Sequence, residues 1–202
     1  MRFFLISISS ILLLAACSSP NPTFYTLNAA PIAQTPPTAK QTRIMVGPVT
    51  LPAAVDRPQL VVQKANNTVQ VFEYRRWANT LKGDVADVIV SNVAQALQIS
   101  NVWSFSQSTQ TNFDYQVFID VQNLESKPGD RVVVDVLWTI KTSQQPGSPS
   151  KGATHSKSSN PKPIMGRSLI QEPVKGDGFE ALVLAQSKAF ARVGQDIAKS
   201  IP

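Results

Sequence analysis

The chain has 202 residues, with 19 basic and 13 acidic side chains and a formal net charge of +6 at pH 7. It contains one histidine and one cysteine, which excludes soft metal clusters and the usual nucleophile–base pairs built on these two residue types. The length suits one domain, whose core must be stabilised by packing because no disulfide framework is available.

The N-terminus predicts secretion and lipid anchoring. Arg2 precedes an uncharged apolar run over residues 3–14, which is too short to span a bilayer and is typical of a signal peptide. Leu14-Ala15-Ala16-Cys17 resembles the bacterial lipobox, in which the cysteine is acylated and becomes the new N-terminus. We predict a lipoprotein signal peptide over residues 1–16 and a lipid on Cys17 that anchors the protein permanently. An ordinary signal peptide with a chance cysteine near the cut is the alternative.

Ser18 indicates which membrane carries the anchor. Lipoproteins retained on the inner membrane typically have aspartate after the acylated cysteine, so serine predicts the periplasmic face of the outer membrane in a Gram-negative envelope. A location outside the cytoplasm also excludes nucleic acid as a partner. Residues 17–41 then provide the lipidated cysteine, a tether and a short first strand. Residues 42–202 are expected to form a single periplasmic domain.

Alternating polar and apolar side chains predict the strands of this domain. The clearest signal is a long antiparallel hairpin that pairs 115–122 with 132–140 through a turn at 127–130. The stretch 164–170 is expected to pair back onto this hairpin. Shorter strands are predicted at 43–49, 59–64, 68–73 and 102–105.

Two amphipathic helices are predicted, one over residues 80–99 and one after Gly178. On each helix the apolar residues recur at helical spacing, which favours a single buried stripe. Asp84 and Asp87 are assigned to the solvated side of the first helix, and Asn79 or Thr80 to its cap. Together the elements predict an α+β fold, in which a mainly antiparallel sheet carries both helices on one face.

The segment 142–163 lies between the late strands and is rich in Ser, Gln, Pro, Gly and Lys, with few apolar side chains. Such a composition cannot offset the free energy cost of ordering the backbone, so we predict a long mobile loop. Its lysines can reach anionic lipid or an acidic partner, although a solvated insertion is the simpler interpretation. His155, the single histidine, falls in this loop.

Paired carboxylates are the remaining route to catalysis. Asp84 with Asp87, and Asp177 with Glu180, are each three residues apart and can share a helix face. Solvated helix surfaces or favourable charge in a first helical turn explain both pairs more simply. We therefore expect no enzyme activity, no cofactor and no metal, and an envelope hydrolase is the least favoured function.

Three motifs resemble a known family. Residues 24–27 read Phe-Tyr-Thr-Leu, residues 46–61 contain Val-Gly-Pro-Val-Thr-Leu-Pro followed by Asp-Arg-Pro-Gln-Leu-Val, and residues 74–78 read Tyr-Arg-Arg-Trp-Ala just before the first helix. In this order, after a lipidated cysteine, they resemble the ABC-type transport auxiliary lipoproteins, and within them the branch associated with paraquat-inducible operons.

The resemblance implies a non-catalytic part in lipid trafficking. Such lipoproteins accompany inner-membrane-anchored proteins with MCE domains, which form lipid-conducting channels across the periplasm. By this resemblance the protein docks the distal end of such a channel at the outer membrane, and a homo-oligomeric ring of copies is a further expectation. A lipoprotein that itself binds a lipid or another hydrophobic ligand is the alternative.

The residues expected to contact the partner are Arg57, Pro58, Arg75, Arg76, Trp77 and Phe118. All but the last match the family motifs, and arginine and tryptophan are enriched at binding hot spots. Phe118 is included because alternation places it on the polar face of the long hairpin. In the alternative interpretation Trp77 fills the core at a strand–helix junction and the arginines bind backbone carbonyls. Residues 164–170 or a neighbouring subunit would then cover Phe118.

Overall fold

The described part of the chain folds into two β-sheets and two helices. The computed structural model describes residues 20–29, 42–65, 67–106, 108–143 and 161–202. The signal peptide, Cys17 and most of the predicted loop 142–163 lie outside these residues. The strands are β1 Thr23–Tyr25, β2 Ile44–Thr50, β3 Gln59–Gln63, β4 Val69–Trp77, β5 Val102–Ser104, β6 Tyr115–Lys127, β7 Arg131–Thr142 and β8 Ile164–Pro173, and the helices are α1 Leu81–Leu97 and α2 Gly178–Ser200.

The larger sheet has the order β5-β2-β6-β7-β8. Its centre is the predicted long hairpin, in which β6 and β7 pair antiparallel from Tyr115↔Thr142 to Lys127↔Arg131. The predicted return of the chain is also confirmed, because β8 pairs antiparallel with β7 along its whole length. β2 lies parallel to both β5 and β6.

The smaller sheet has the order β1-β4-β3. The strands predicted at 59–64 and 68–73 are present as β3 and β4, which form an antiparallel hairpin. β1 joins the far side of β4 in parallel, with Tyr25 opposite Trp77. β4 is longer than predicted. Its pairing with β3 shifts register where Gln59 lies opposite Arg76 and Leu60 opposite Phe72, and this bulge interrupts the alternation that marks the first half of β4. The α+β class is thus confirmed, although the sheets are mixed rather than mainly antiparallel because β1, β2 and β5 all join in parallel.

As predicted, both helices cover the same face of the larger sheet, and the structure shows that they also pack against each other. α1 lies on β2 and β5, and α2 lies on β6, β7 and β8. The helices approach closely because Gly194 of α2 has no side chain, and a Cβ there would lie 2.9 Å from the Cβ of Asn92. Their buried residues, each contributing about 1.5–3 kcal/mol, include Val85, Val88, Ile89, Leu182, Phe190 and Ile197.

Local chemistry fixes both ends of α1. Thr80 is the N-cap, and its side chain accepts a hydrogen bond from the Gly83 amide at 3.2 Å. At the other end Gln98 adopts a left-handed conformation with φ 55°, which stops the helix and satisfies terminal carbonyls. Within the described ranges, no helix is both long enough and apolar enough to cross a membrane.

Candidate binding surfaces

One buried carboxylate helps to fix the segment that follows the predicted anchor to the body. Asp84, in the first turn of α1, is only 2% exposed. Its Oδ2 accepts hydrogen bonds from the Leu27 amide at 3.0 Å and from the Thr26 hydroxyl at 3.1 Å. Its Oδ1 accepts a third from Asn79 Nδ2 at 3.0 Å. The assignment of Asp84 to the solvated side of the helix is therefore wrong.

The two carboxylate pairs considered as a route to catalysis differ in burial. Asp84 is buried and bonded to three donors, whereas Asp87 is half-buried on the same helix. Asp177 and Glu180 are both exposed at the start of α2. In the described ranges no three His, Cys, Asp or Glu side chains group closely enough to hold a metal ion, and His155 lies outside them.

The motif residues around the end of β4 come together, and two of them are engaged inside the fold. Trp77 is buried, and its amide donates to the Pro58 carbonyl at 2.7 Å. Arg75 donates to the Thr23 hydroxyl, and its guanidinium lies 5.6 Å from the centre of the Phe179 ring. The Trp77 side chain therefore belongs to the core, and Arg75 links β1 and β4 to α2.

The other motif residues are accessible. Arg57 and Pro58 are exposed in the loop before β3, and Arg76 is half-buried on β4. Arg76 is the register partner of Phe24, which is 59% exposed. Phe24 belongs to the first motif but was not among the residues predicted to contact a partner.

An aromatic cluster joins the smaller sheet to α2. The Phe179 ring meets Phe72 edge-on at 4.8 Å between centroids and lies 6.1 Å from Tyr25. Burial raises the pKa of the Tyr25 phenol, the nearby Glu180 carboxylate raises it further, and Arg75 opposes them. Tyr25 therefore stays neutral at physiological pH and acts as a packing residue.

The smaller sheet has an outer face that none of the described elements covers. Buried rows such as Tyr25↔Trp77 and Leu60↔Phe72 point to the core. Side chains alternate along each strand, so the intervening rows point outward. We call these residues the outer face of the smaller sheet: Phe24, Gln59, Val61, Gln63, Val69, Val71 and Arg76.

An open groove of about 540 Å³ runs beside this face. Pro20 and Asn21 form one wall, and the other is formed by residues 70–75 of β4 together with Phe179. Tyr74, in the bulged part of β4, is 47% exposed at its rim. No sequence signal marked the groove, because it depends on β1 lying beside a strand about fifty residues away.

Phe118 lies on β6 of the larger sheet, whereas the other five predicted contact residues lie on β4 or in the loop before β3. It is half-buried on the side turned away from the helices, with the Lys141 ammonium 4.6 Å from the centre of its ring. Across the strands its register neighbours are Thr139 and then Met165. β8 lies in the same sheet, beside β7, so it does not cover Phe118.

The same side of the larger sheet exposes further apolar residues. Met165 is 76% exposed and Leu169 is 69% exposed on β8, and Leu137 is exposed on β7. We call this surface, Phe118, Leu137, Met165 and Leu169, the open face of the larger sheet. Between these residues Arg167 Nε donates to Asp135 Oδ1 at 2.7 Å, and this bond holds the pKa of the Asp135 carboxyl below its usual range.

Solved structures share this fold. One, described as an uncharacterized protein, has a TM-score of 0.66 at 16% identity and covers 91% of this chain and 100% of its own. Another, a DUF330 protein from Xanthomonas campestris, has a TM-score of 0.59 at 17% identity and covers 87% of this chain and 92% of its own. At these identities the likeness shows the fold alone. No curated protein matches the chain significantly.

A family match connects this fold to transport. The model of the ABC-type transport auxiliary lipoprotein component matches residues 25–198. The matched region begins in β1, includes both sheets and ends in the last turn of α2. It also contains all three motifs except the first residue of the first one. The chain therefore belongs to the ABC-type transport auxiliary lipoprotein family.

Proposed function

We propose that the protein is an outer-membrane-anchored component of an MCE-type intermembrane lipid transport system, and that it docks the periplasmic channel at the outer membrane. The observation that carries the proposal is membership of a transport auxiliary lipoprotein family across residues 25–198. Cys17 in a lipobox-like motif supports lipid anchoring, and Ser18 after it supports the outer membrane. The proposed partner is an inner-membrane-anchored protein with MCE domains.

The open face of the larger sheet supports a protein partner. Met165 and Leu169 are largely exposed on outward positions of β8, on either side of Arg167. Exposed apolar side chains grouped with polar ones in this way are typical of interaction sites. The Arg167–Asp135 pair lies between them and offers polar groups that would fix the orientation of a partner. This face is the docking surface in our proposal.

The edge of the larger sheet supports assembly of several copies. β8 is the last strand in the sheet order, so the backbone groups on its outer side have no strand partner among the described residues. An exposed edge of this length readily pairs with another strand. A ring of copies joined near β8 would surround the end of a channel, which is the arrangement that the docking role requires.

The mechanism is positional. A lipid on Cys17 holds the protein at the membrane, and β1 transmits that position to the body through its pairing with β4. Asp84 then fixes Thr26 and Leu27 to α1. The docking surface is therefore held by a series of contacts and not by a flexible linker alone. These contacts would keep the partner's end close to the bilayer.

The groove favours one second candidate, a lipoprotein that itself binds a lipid. Its walls carry Val71, Phe72, Tyr74 and Phe179 beside Arg75, a combination that suits an acyl chain next to an anionic headgroup. The buried core between the sheets and helices is filled by large side chains. A bound lipid would therefore occupy this open groove instead of a closed cavity.

Co-purification tests the two candidates together. The native lipoprotein is extracted from envelopes in mild detergent, and proteins and phospholipid retained with it are identified. We expect an MCE-domain protein to be retained, and we expect Leu169→Asp with Met165→Asp to abolish its retention. Leu184→Asp is the matched control, because Leu184 is 49% exposed on α2.

Two results of this experiment would contradict the docking proposal. If no MCE-domain protein is retained and the isolated domain holds phospholipid stoichiometrically, the docking proposal is wrong and the lipid-binding candidate replaces it. If Leu184→Asp weakens retention as much as the β8 variant does, the open face is not the docking surface.

A further inference from the structure

The position of the first described residue limits how far the body can lie from its anchor. Cys17 precedes Pro20 by three residues, which span at most about 11 Å when fully extended. Pro20 itself lies against β4, as part of the groove wall opposite residues 70–75. Whatever surface surrounds Pro20 is therefore within about one nanometre of the acylated position.

The direction of β1 identifies that surface. β1 is parallel to β4, with Thr23 opposite Arg75 and Tyr25 opposite Trp77. The chain consequently reaches β1 from the end of the smaller sheet at which β4 begins, where the β3–β4 hairpin turns. Val69, the first residue of β4, lies at that end and is 54% exposed.

The composition of this region fits a bilayer surface. The outer face combines an exposed phenylalanine, three valines and an arginine with two uncharged glutamines, and Tyr74 is exposed nearby. Aromatic side chains with apolar bodies are enriched at membrane interfaces, where arginine and lysine bind lipid phosphates. Of the nine large apolar side chains that are exposed among the described residues, Phe24, Val69 and Tyr74 belong to β1 and β4.

Charge on this side of the molecule is compatible with the same environment. Lys64 is exposed at the hairpin, and Arg76 lies beside Phe24. Neither forms an ion pair with another described residue within 4.0 Å. The one acidic side chain on this stretch of β4, Glu73, accepts a hydrogen bond from Gln59 Nε2 at 3.1 Å. Two cations are thus available to anionic headgroups.

We propose that the outer face of the smaller sheet rests on the surface of a phospholipid bilayer, with Phe24 and Val69 inserted at the level of the headgroups. The open face of the larger sheet is then left for proteins. This inference rests on the lipid anchoring in the proposed function and adds to it the side of the fold that meets the membrane. A tether alone would allow any orientation, whereas this contact permits one.

Site-directed spin labelling of the acylated protein tests the inference. Cys17 is the only cysteine, so acylation leaves the parent without a free thiol, and single variants take one label each. Phe24→Cys and Val69→Cys are compared with Leu169→Cys and Leu184→Cys, which are similarly exposed positions on β8 and α2. Each protein is reconstituted in vesicles of phosphatidylethanolamine and phosphatidylglycerol. Collision rates with oxygen and with a water-soluble nickel chelate are then measured.

We expect the ratio of oxygen to nickel accessibility to be several-fold higher at positions 24 and 69 than at the two controls. Equal ratios at all four positions, with an unlabelled parent, would overturn the contact while leaving the anchor intact. A higher ratio at 169 than at 24 and 69 would overturn it as well, because the opposite sheet would then face the lipid. A parent that takes up label at Cys17 would instead refute the anchor, and the contact with it.

Discussion

The outer face of the smaller sheet and the open face of the larger sheet both expose apolar side chains, but the two sheets are stabilised differently. The larger sheet is a continuous hydrogen-bonded ladder with long antiparallel pairings at its centre. The smaller sheet has short pairings and depends on side chains from elsewhere, chiefly Asp84 and Phe179. The region nearest the anchor is thus positioned by tertiary contacts, so single substitutions should release it while the larger sheet stays folded.

The largest expected effect is on the Asp84 contact. Asp84→Ala leaves the Leu27 amide and two side-chain donors without their acceptor, which should lower the free energy of unfolding by about 3–4 kcal/mol. Chemical denaturation measures the loss, and hydrogen exchange should show faster exchange at Leu27. Asp177→Ala is the control, since Asp177 is exposed and its side chain makes no capping bond. An equal loss in both variants would contradict the role given to Asp84.

Phe179→Ala should cost slightly less, about 2–3 kcal/mol, because the ring is half-buried and the cavity it leaves is partly open to solvent. The loss removes its contacts with Phe72, Tyr25 and Arg75. We expect amides of β1 to exchange faster while those of β7 keep their protection. Leu184→Ala, an exposed position on the same helix, should change little. Uniform loss of protection in both sheets would show that the two regions unfold as one unit.

Gly166→Ala tests the opposite region. A Cβ at Gly166 would overlap the Trp138 ring, so the indole must move and its 3.2 Å hydrogen bond from Nε1 to the Ser168 hydroxyl would be lost. We expect the free energy of unfolding to fall by about 1–2 kcal/mol. Amide exchange should become faster along β8 and should not change at Leu27. Gln171→Ala on the same strand is the control. Loss of protection at Leu27 instead of β8 would contradict the separation of the two regions.

The smallest effect concerns the ion pair on the open face. Arg167 lowers the pKa of Asp135 in the folded protein, so the pair's contribution is present above the unfolded carboxyl pKa of about 3.9. It is lost as pH falls through the lower folded value. Asp135→Asn should therefore be slightly less stable than the parent at pH 6, and the difference should vanish in acid. Thermal unfolding at several pH values measures it, and a difference that grows in acid would contradict the assignment.

Sequence reasoning succeeded where the signal was local. Alternation gave the β6–β7 hairpin and the position of β8, and helical spacing gave both helices. It failed where pairing joins distant residues. The parallel pairing of β1 with β4 and of β2 with β5 and β6 has no local signature, which is why the sheet was expected to be mainly antiparallel.

The binding residues show the same division. Pro58, Arg76 and Trp77 come together through the pairing of β3 with β4, and their contact with a partner stays a prediction. The alternative interpretation of Trp77 is confirmed, because its side chain is buried in the core. The motif alone could not decide between core and surface, because burial depends on the register with β1 and β3. Asp84 was misjudged for a related reason, as its donors at Thr26 and Leu27 lie in a separate segment of the chain.

The parallel pairing of β1 with β4 has a mechanical consequence. If the proposed lipid on Cys17 were pulled while the proposed partner held the body, the force would act along the strand and away from its N-terminal end. The backbone hydrogen bonds of β1 are then loaded in shear, all at the same time, instead of being opened one after another. Thr26 and Leu27, which Asp84 binds, follow β1 directly in the chain and would take up the load next. A short edge strand placed in this way resists extraction far better than its length suggests.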